Sequence, residues 1–300
     1  MKKKHISKRE RRNNIAGYLF ISPFIIGFFV FTLYPFLSSL YLSFTDYDIL
    51  TPPKFVGLKN YIKMFTADEK ILISLKVTFK FAIVQVPLKM AFSLLVAIVL
   101  SWSTKLTGIY RAIFYVPSLL GGSVAVALAW KKLWELDGVI NAILGKIGIE
   151  PINWLYNTKT ALYVLVLLGV WQFGSQMLIF LAAIKDVPKS LLEAATVDGA
   201  GSIKKFFKIT LPMMTPALFF NLVNGIIGSL QAFTSAYLIT GGEPMNTTLY
   251  YGLYQYTQAF TYNHMGYASA MAWVLLLIIV TLTALVFRSS AGWVYYQDEG

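Results

Sequence analysis

EAATVDGAGSIKKFFKITLP (193–212) is charged and broken by glycine, yet it is built largely of helix formers and stands between two long apolar runs. Those runs decide what it can be. Only 13% of the 300 residues are charged, 57% are hydrophobic and the mean hydropathy is +0.62, which leaves too little polar surface for a soluble protein of this length. The apolar residues also gather in runs longer than about 18 residues, the length of a bilayer-crossing helix rather than a core helix. The composition therefore implies an all-α, polytopic membrane protein in which 193–212 is a polar loop.

Working outward from that loop, six segments qualify as spans: Gly17–Tyr41, Ile71–Trp102, Gly108–Trp130, Thr160–Ala183, Ile209–Thr240 and Gly266–Phe287. The first reaches about 37 Å as a helix, enough to cross a core of about 30 Å with some tilt. Its length, the lack of a small-x-small cleavage site, and Pro23 and Pro35 as kinks argue for a retained helix rather than a signal peptide. Basic flanks stay in the cytoplasm. With the N terminus inside, the inner segments hold 15 Lys and Arg, Lys105 and Arg111 among them, against 8 in the outer loops. Lys76, Lys80 and Lys89 fall within the second span. Both termini are thus expected in the cytoplasm. The division is a basic tail at 1–16, a membrane domain at 17–288 carrying a cytoplasmic loop at 184–212, and a tail at 289–300.

This orientation accounts for the net charge of +12 better than nucleic-acid binding does, because the excess sits in one tail and in loops. The absence of cysteine excludes disulfides and thiol chemistry. Two histidines, His5 and His264, and no paired carboxylates within a span offer nothing catalytic, so no enzyme is expected. No phosphate-binding loop is present, since Gly145-Lys146 is followed by Ile147. Asn246-Thr247-Thr248 fits a glycosylation acceptor by coincidence. In the outer loops, FVGLKNYIKMF (55–65) and WKKLWELDGVINAIL (130–144) have the spacing of helices lying at the interface, or sealing the bundle.

Within the loop, Pro188 suits a first helical turn, with Asp186 or Ser190 able to cap it. Asp198-Gly199 ends that helix, Ser202 can cap a second one, and Pro212 opens the fifth span. Ala194 and Ala195 remove bulk from one surface, and Glu193 offers an acceptor to a basic partner. The shape suits a plug for a socket, although a loop of this kind can also merely connect two spans.

The spacing E-A-A, three residues, Gly, nine residues, I-x-L-P is met by Glu193, Ala194, Ala195, Gly199, Ile209, Leu211 and Pro212. It resembles the cytoplasmic signature of permease subunits of binding-protein-dependent ABC importers. FVGLKNY (55–61), YRAIFYVPSLL (110–120), the Trp130 region, TGGEPMNTT (240–248) and GYASA (266–270) are similar to the carbohydrate branch of that family, near the larger maltose permease subunit. The chain lacks that subunit's large extracellular insertion and two extra N-terminal spans, and so resembles the compact six-span form. The resemblance implies the type I importer permease fold and a bacterial inner-membrane location. It also implies a second, different permease as partner, two cytoplasmic ATPases holding ATP and Mg, and an extracellular binding protein delivering a sugar. No cofactor is implied on this chain. The loop, with Glu193, Asp198 and Gly199 at the contact, would be the helix that couples to the ATPase.

Amides inside a span should face protein or a water-filled path, because lipid offers no hydrogen bonds. Asn221, Asn224, Gly228, Gln231 and Ser235 fall within an arc of roughly 80° on one helix. Gln172 and Gln176 lie one turn apart beside Trp171 and Phe173. Amides and aromatic faces suit a sugar ring, though helix-to-helix bonding is the alternative. By the Trp171 and Phe233 anchors, the resemblance places Gln172, Phe173, Gln176, Ser229 and Gln231 on the substrate path. Lys89, at a cost of about 2.5–3.5 kcal/mol near a span centre, needs a compensating partner. It could line the path and favour an acidic sugar, or snorkel, or pair with a neighbouring subunit. An ion-coupled secondary transporter is the rival reading, but no inverted repeat or buried acid supports it.

Overall fold

The computed structural model describes residues 8–102 and 107–295, with nothing to report of the side chains of 8–13 and 15. His5, Lys105 and the ends of both expected tails lie outside the described residues. The chain is helical almost throughout, and among the described residues the only strands are the two-residue pair Thr45–Asp46 and Lys54–Phe55. Three helices are long and apolar enough to span a membrane: Ala16–Ser43, Glu69–Ser101 and Met265–Ser290. Three more candidates are bent pairs, Thr107–Leu120 with Val124–Lys146, Ala161–Trp171 with Gly174–Asp186, and Ser202–Met213 with Thr215–Leu230. Six spans result if each pair counts as one.

The chain divides into two compact units, residues 1–67 with 258–274 and residues 68–257 with 275–300. In the first, α1 (Lys8–Phe28) runs through a π turn at Phe29–Leu33 into α2 (Tyr34–Ser43). Pro35 explains that turn, since its ring clashes with the carbonyl four residues back and it has no N–H to give. Phe20, Phe24 and Phe31 are exposed along this helix, as lipid-facing side chains would be. Of the segment 55–65, residues 59–65 lie in α3 (Lys59–Thr66), which is tied into this unit. Met64 is buried, and the Asn60 amide donates to the carbonyls of Ser43 and Thr45 at 2.9 and 2.8 Å.

The second unit is built on α4 (Glu69–Ser101), which packs along α8 (Ala161–Trp171), α9 (Gly174–Asp186) and α13 (Thr215–Leu230). Helix α5 (Thr107–Leu120) packs on α9, and Gly174 makes this possible: a Cβ there would lie 2.4 Å from the Phe114 carbonyl oxygen. One apolar cluster ties the end of α4 (Val96, Ala97, Leu100) to α9 (Met177, Phe180, Leu181) and to Met214. Lipid is as apolar as these side chains, so the cluster holds by close packing rather than by escape from water.

The stretch 130–144 corrects the expectation of a single interfacial helix. It breaks between α6 (Val124–Trp134) and α7 (Val139–Lys146). Gly138 fits because a Cβ would strike the Leu133 carbonyl oxygen at 2.4 Å. Buried Asn141 then ties the loop down, its amide donating to Ile152 O at 2.8 Å while its carbonyl accepts from the Trp154 indole at 2.9 Å. Farther on, α14 (Tyr251–Tyr256) returns to α4, where Thr78 Oγ1 accepts from the Tyr251 N–H at 2.8 Å and Asp68 accepts from the Tyr254 hydroxyl at 2.7 Å.

Candidate functional site

Three of the expected spans are broken in mid-course, and one break from each converges on a common space, while a further bend of 64° at Met214 lies apart in the apolar cluster. Helix α5 ends at Leu120 and α6 begins at Val124 after a turn of 97°, with Ser123 Oγ accepting from the Val126 N–H at 3.3 Å. Helix α8 ends at Trp171 and α9 begins at Gly174 with a bend of 46°. Helix α13 ends at Leu230, and the chain turns helical again at Thr234 and runs into a π turn at Ala236–Thr240. Gly121 and Gly122 from the first break, Gln172 from the second and Gln231 to Ser235 from the third all line one cavity of about 530 Å³, within the second unit. Irregular backbone at membrane depth leaves polar groups without helical partners, which is tolerable only inside protein or along a wet cavity. A cavity is where these breaks are found.

The breaks correct two sequence expectations. Gln172 and Gln176 do not share one helix, because the helix stops between them. The polar stripe is not one continuous face either, since Asn221, Asn224 and Gly228 lie on α13 while Gln231 and Ser235 follow its end. All of them nonetheless line the cavity, as do Ser229 and Lys89. Phe173 does not. Its ring is buried in the apolar cluster, 4.8 Å from Phe92 and 5.9 Å from Phe114 between centroids. The aromatic lining comes instead from Phe81 and Phe220, which the sequence did not single out, and from Phe233, which served there only as an anchor.

Absent side chains give the amides their positions. The Gln172 side chain crosses to Gly121, where a Cβ would sit 2.2 Å from it, and its Nε2 donates to the Gly121 carbonyl at 3.0 Å. The Gln85 amide lies over Gly169, whose Cβ would be 2.3 Å from Nε2, and its Oε1 accepts from the Ser229 hydroxyl. Gln85 is thus a lining residue, one turn before Lys89 on α4. Buried Gln176 reaches the Asn221 carbonyl at 3.5 Å, and its Oε1 lies 3.4 Å from Ser93 Oγ. The result is a wall of amides held by neighbouring groups, with Phe81, Phe220 and Phe233 on the same lining. Such a wall can hydrogen-bond hydroxyl groups and stack against sugar rings.

The polar loop forms α10 (Lys189–Val197), α11 (Ser202–Lys205), a π turn at Phe206–Thr210 and α12 (Leu211–Met213). Neither Asp186 nor Ser190 caps α10, whose N-cap is Pro188, and Gly201 rather than Ser202 stands at the N-cap of α11. At the bend, Gly199 is left-handed, with φ +76°, and its N–H donates to Thr196 O at 3.0 Å while the Ala200 N–H donates to Ala195 O at 2.8 Å. That pair of bonds is the Schellman ending of a helix, and it favours glycine. No residue of α10 is buried. Glu193, Ala194, Asp198 and Gly199 are exposed and Ala195 is half-buried. Val197 is 89% and Ile203 77% exposed, unusual for apolar side chains on a polar loop. Leu211 packs against the apolar cluster, whereas Ile209 and Pro212 line a surface cleft with Leu191, Lys208, Met213 and Tyr295.

Residues 89–293 match the family described as binding-protein-dependent transport system inner membrane component. The chain belongs to that family. As a membrane component of such a system, it is similar over nearly its whole length to named permeases. It is 53% identical to the probable ABC transporter permease protein YesP of Bacillus subtilis, covering 98% of this chain and 96% of that one. It is 36% identical to the arabinooligosaccharides transport system permease protein AraP of the same organism, covering 95% and 90%. It is 31% identical to the trehalose/maltose transport system permease protein MalF of Thermococcus litoralis, covering 95% and 96%. A crystal structure of a bacterial ABC transporter that imports the acidic polysaccharide alginate has a chain of the same fold, with a TM-score of 0.82 at 20% identity over 94% of this permease and 97% of that chain.

Proposed function

We propose that the chain is the permease subunit of an ATP-driven importer of sugars or oligosaccharides in the bacterial inner membrane. It forms half of the translocation path with a second permease, takes substrate from an external binding protein, and leaves ATP and Mg to a separate pair of ATPases. The observation that carries this reading is the amide-and-aromatic cavity at the meeting point of three broken helices, in a chain whose relatives AraP and MalF are named for sugar transport. In this reading both tails and 184–212 are cytoplasmic. Exposed Glu193, Val197 and Ile203 seat the loop on the ATPase, and Leu211 and Met214 pass its movement into the core shared by α4 and α9. Proteoliposomes carrying the purified subunits test the proposal: ATP hydrolysis should rise when a sugar-loaded binding protein is added. Transport driven by an ion gradient with no ATPase present would replace this reading with that of a secondary transporter.

A further inference from the structure

Lys89 lines the cavity on α4, one turn after Gln85. A lysine at membrane depth needs a counter-charge, and the cavity wall supplies none. No Asp or Glu occurs in residues 70–134, 151–185, 199–242 or 244–297, which between them include every residue of the cavity wall. Among the described residues the ion pairs are those of Lys132 with Glu135 and Asp137, far along the chain. One turn before Lys89 on α4, Gln85 Oε1 already accepts from the Ser229 hydroxyl. The other wall amides of Gln172, Gln176 and Asn224 each spend a donor on a main-chain carbonyl and offer only neutral oxygens, which cannot balance a charge. Asn221 Nδ2, on the same wall, is buried without a hydrogen-bond partner. An ammonium and a spare amide N–H together ask for an anion with several lone pairs, and a carboxylate is the sugar substituent that provides them.

We infer that the cavity selects acidic saccharides, with a uronate carboxylate held by Lys89 and the sugar hydroxyls by the surrounding amides. This rests on the importer reading above and narrows its substrate class. The charge faces the cavity, so its partner is what passes through, and the carboxylate need only be present in transit.

The test uses the complete complex in proteoliposomes with ATP and its binding protein. The probes are oligosaccharides from digested pectin, alginate, starch and galactan, separated by anion exchange into acidic and neutral pools and identified inside the vesicles by mass spectrometry. Members of the acidic pool should accumulate. Lys89→Gln should lower that uptake about 10- to 100-fold, the worth of one charge-assisted hydrogen bond, while Lys89→Arg keeps most of it and the affinity of the binding protein is unchanged. Uptake confined to the neutral pool, or acidic uptake indifferent to Lys89→Gln, overturns the inference and leaves the importer reading intact. A Lys89→Gln complex that fails to assemble, where Lys89→Arg assembles, also overturns it, because the charge would then pair with the second permease. ATP-dependent uptake from neither pool overturns the sugar-importer reading itself.

Discussion

Gly169 and Gly121 hold open the space that Gln85 and Gln172 occupy. Gly169→Ala should push the Gln85 amide away from Ser229, and uptake should fall several-fold with unchanged yield of the complex; normal uptake would remove Gln85 from the path. Converting Gln172 and Gln231 together to Leu should lower uptake without loss of assembly, measured by copurification of the partners. At Gly199, two demands coincide. Its left-handed φ costs any other residue about 1 kcal/mol, and its exposed position is free on its own chain, with nothing within 4 Å of an added Cβ. Gly199→Ala should therefore weaken transport modestly through the bend. Gly199→Asp adds a charge at the surface proposed to meet the ATPase, so it should abolish uptake while the subunit stays in the membrane. Equal effects from the two would assign the whole role of Gly199 to its conformation.

At the scale of elements, the packing of α5 on α9 depends on Gly174, whose missing Cβ lets the α5 backbone approach. In Gly174→Ala the new atom would meet Phe114 O at 2.4 Å and Tyr115 Cα at 2.7 Å. Both are main chain, so the helices must separate, at a cost of about 1–3 kcal/mol; thermal inactivation of the purified complex should move down by several degrees, and an unchanged midpoint would contradict this packing. Apolar length made the candidate spans legible from sequence, and the family spacing singled out the loop. The breaks were not legible, because an apolar run has the same composition whether its helix continues or stops. Gly121-Gly122-Ser123 did carry a signal, two glycines before a capping serine. Gln172-Phe173 carried none, as that break is supported by a bond from the Gln172 amide to a carbonyl 51 residues away. Phe173 misled for a related reason: an aromatic beside glutamines reads equally as sugar platform or as core, and only the neighbours Phe92 and Phe114 decide between them.

For the molecule as a whole, the account requires work done on a polar loop to reach a cavity inside the bundle, and the second unit supplies a continuous route. Val197 and Ile203 are exposed at the outer end of the loop, Leu211 and Met214 enter the apolar cluster at its inner end, and α13 carries Asn221 and Asn224 from there to the cavity wall. The chain has no cysteine, so a single one introduced at Glu193 or Val197 reports its own contact without background. The decisive measurement is thiol crosslinking of Glu193→Cys and Val197→Cys to single cysteines on the ATPase in the assembled, transport-competent complex. The account predicts efficient crosslinks that change with nucleotide state and block transport until they are reduced. A complex that imports sugar at full rate while neither position crosslinks to the ATPase in any nucleotide state would contradict it.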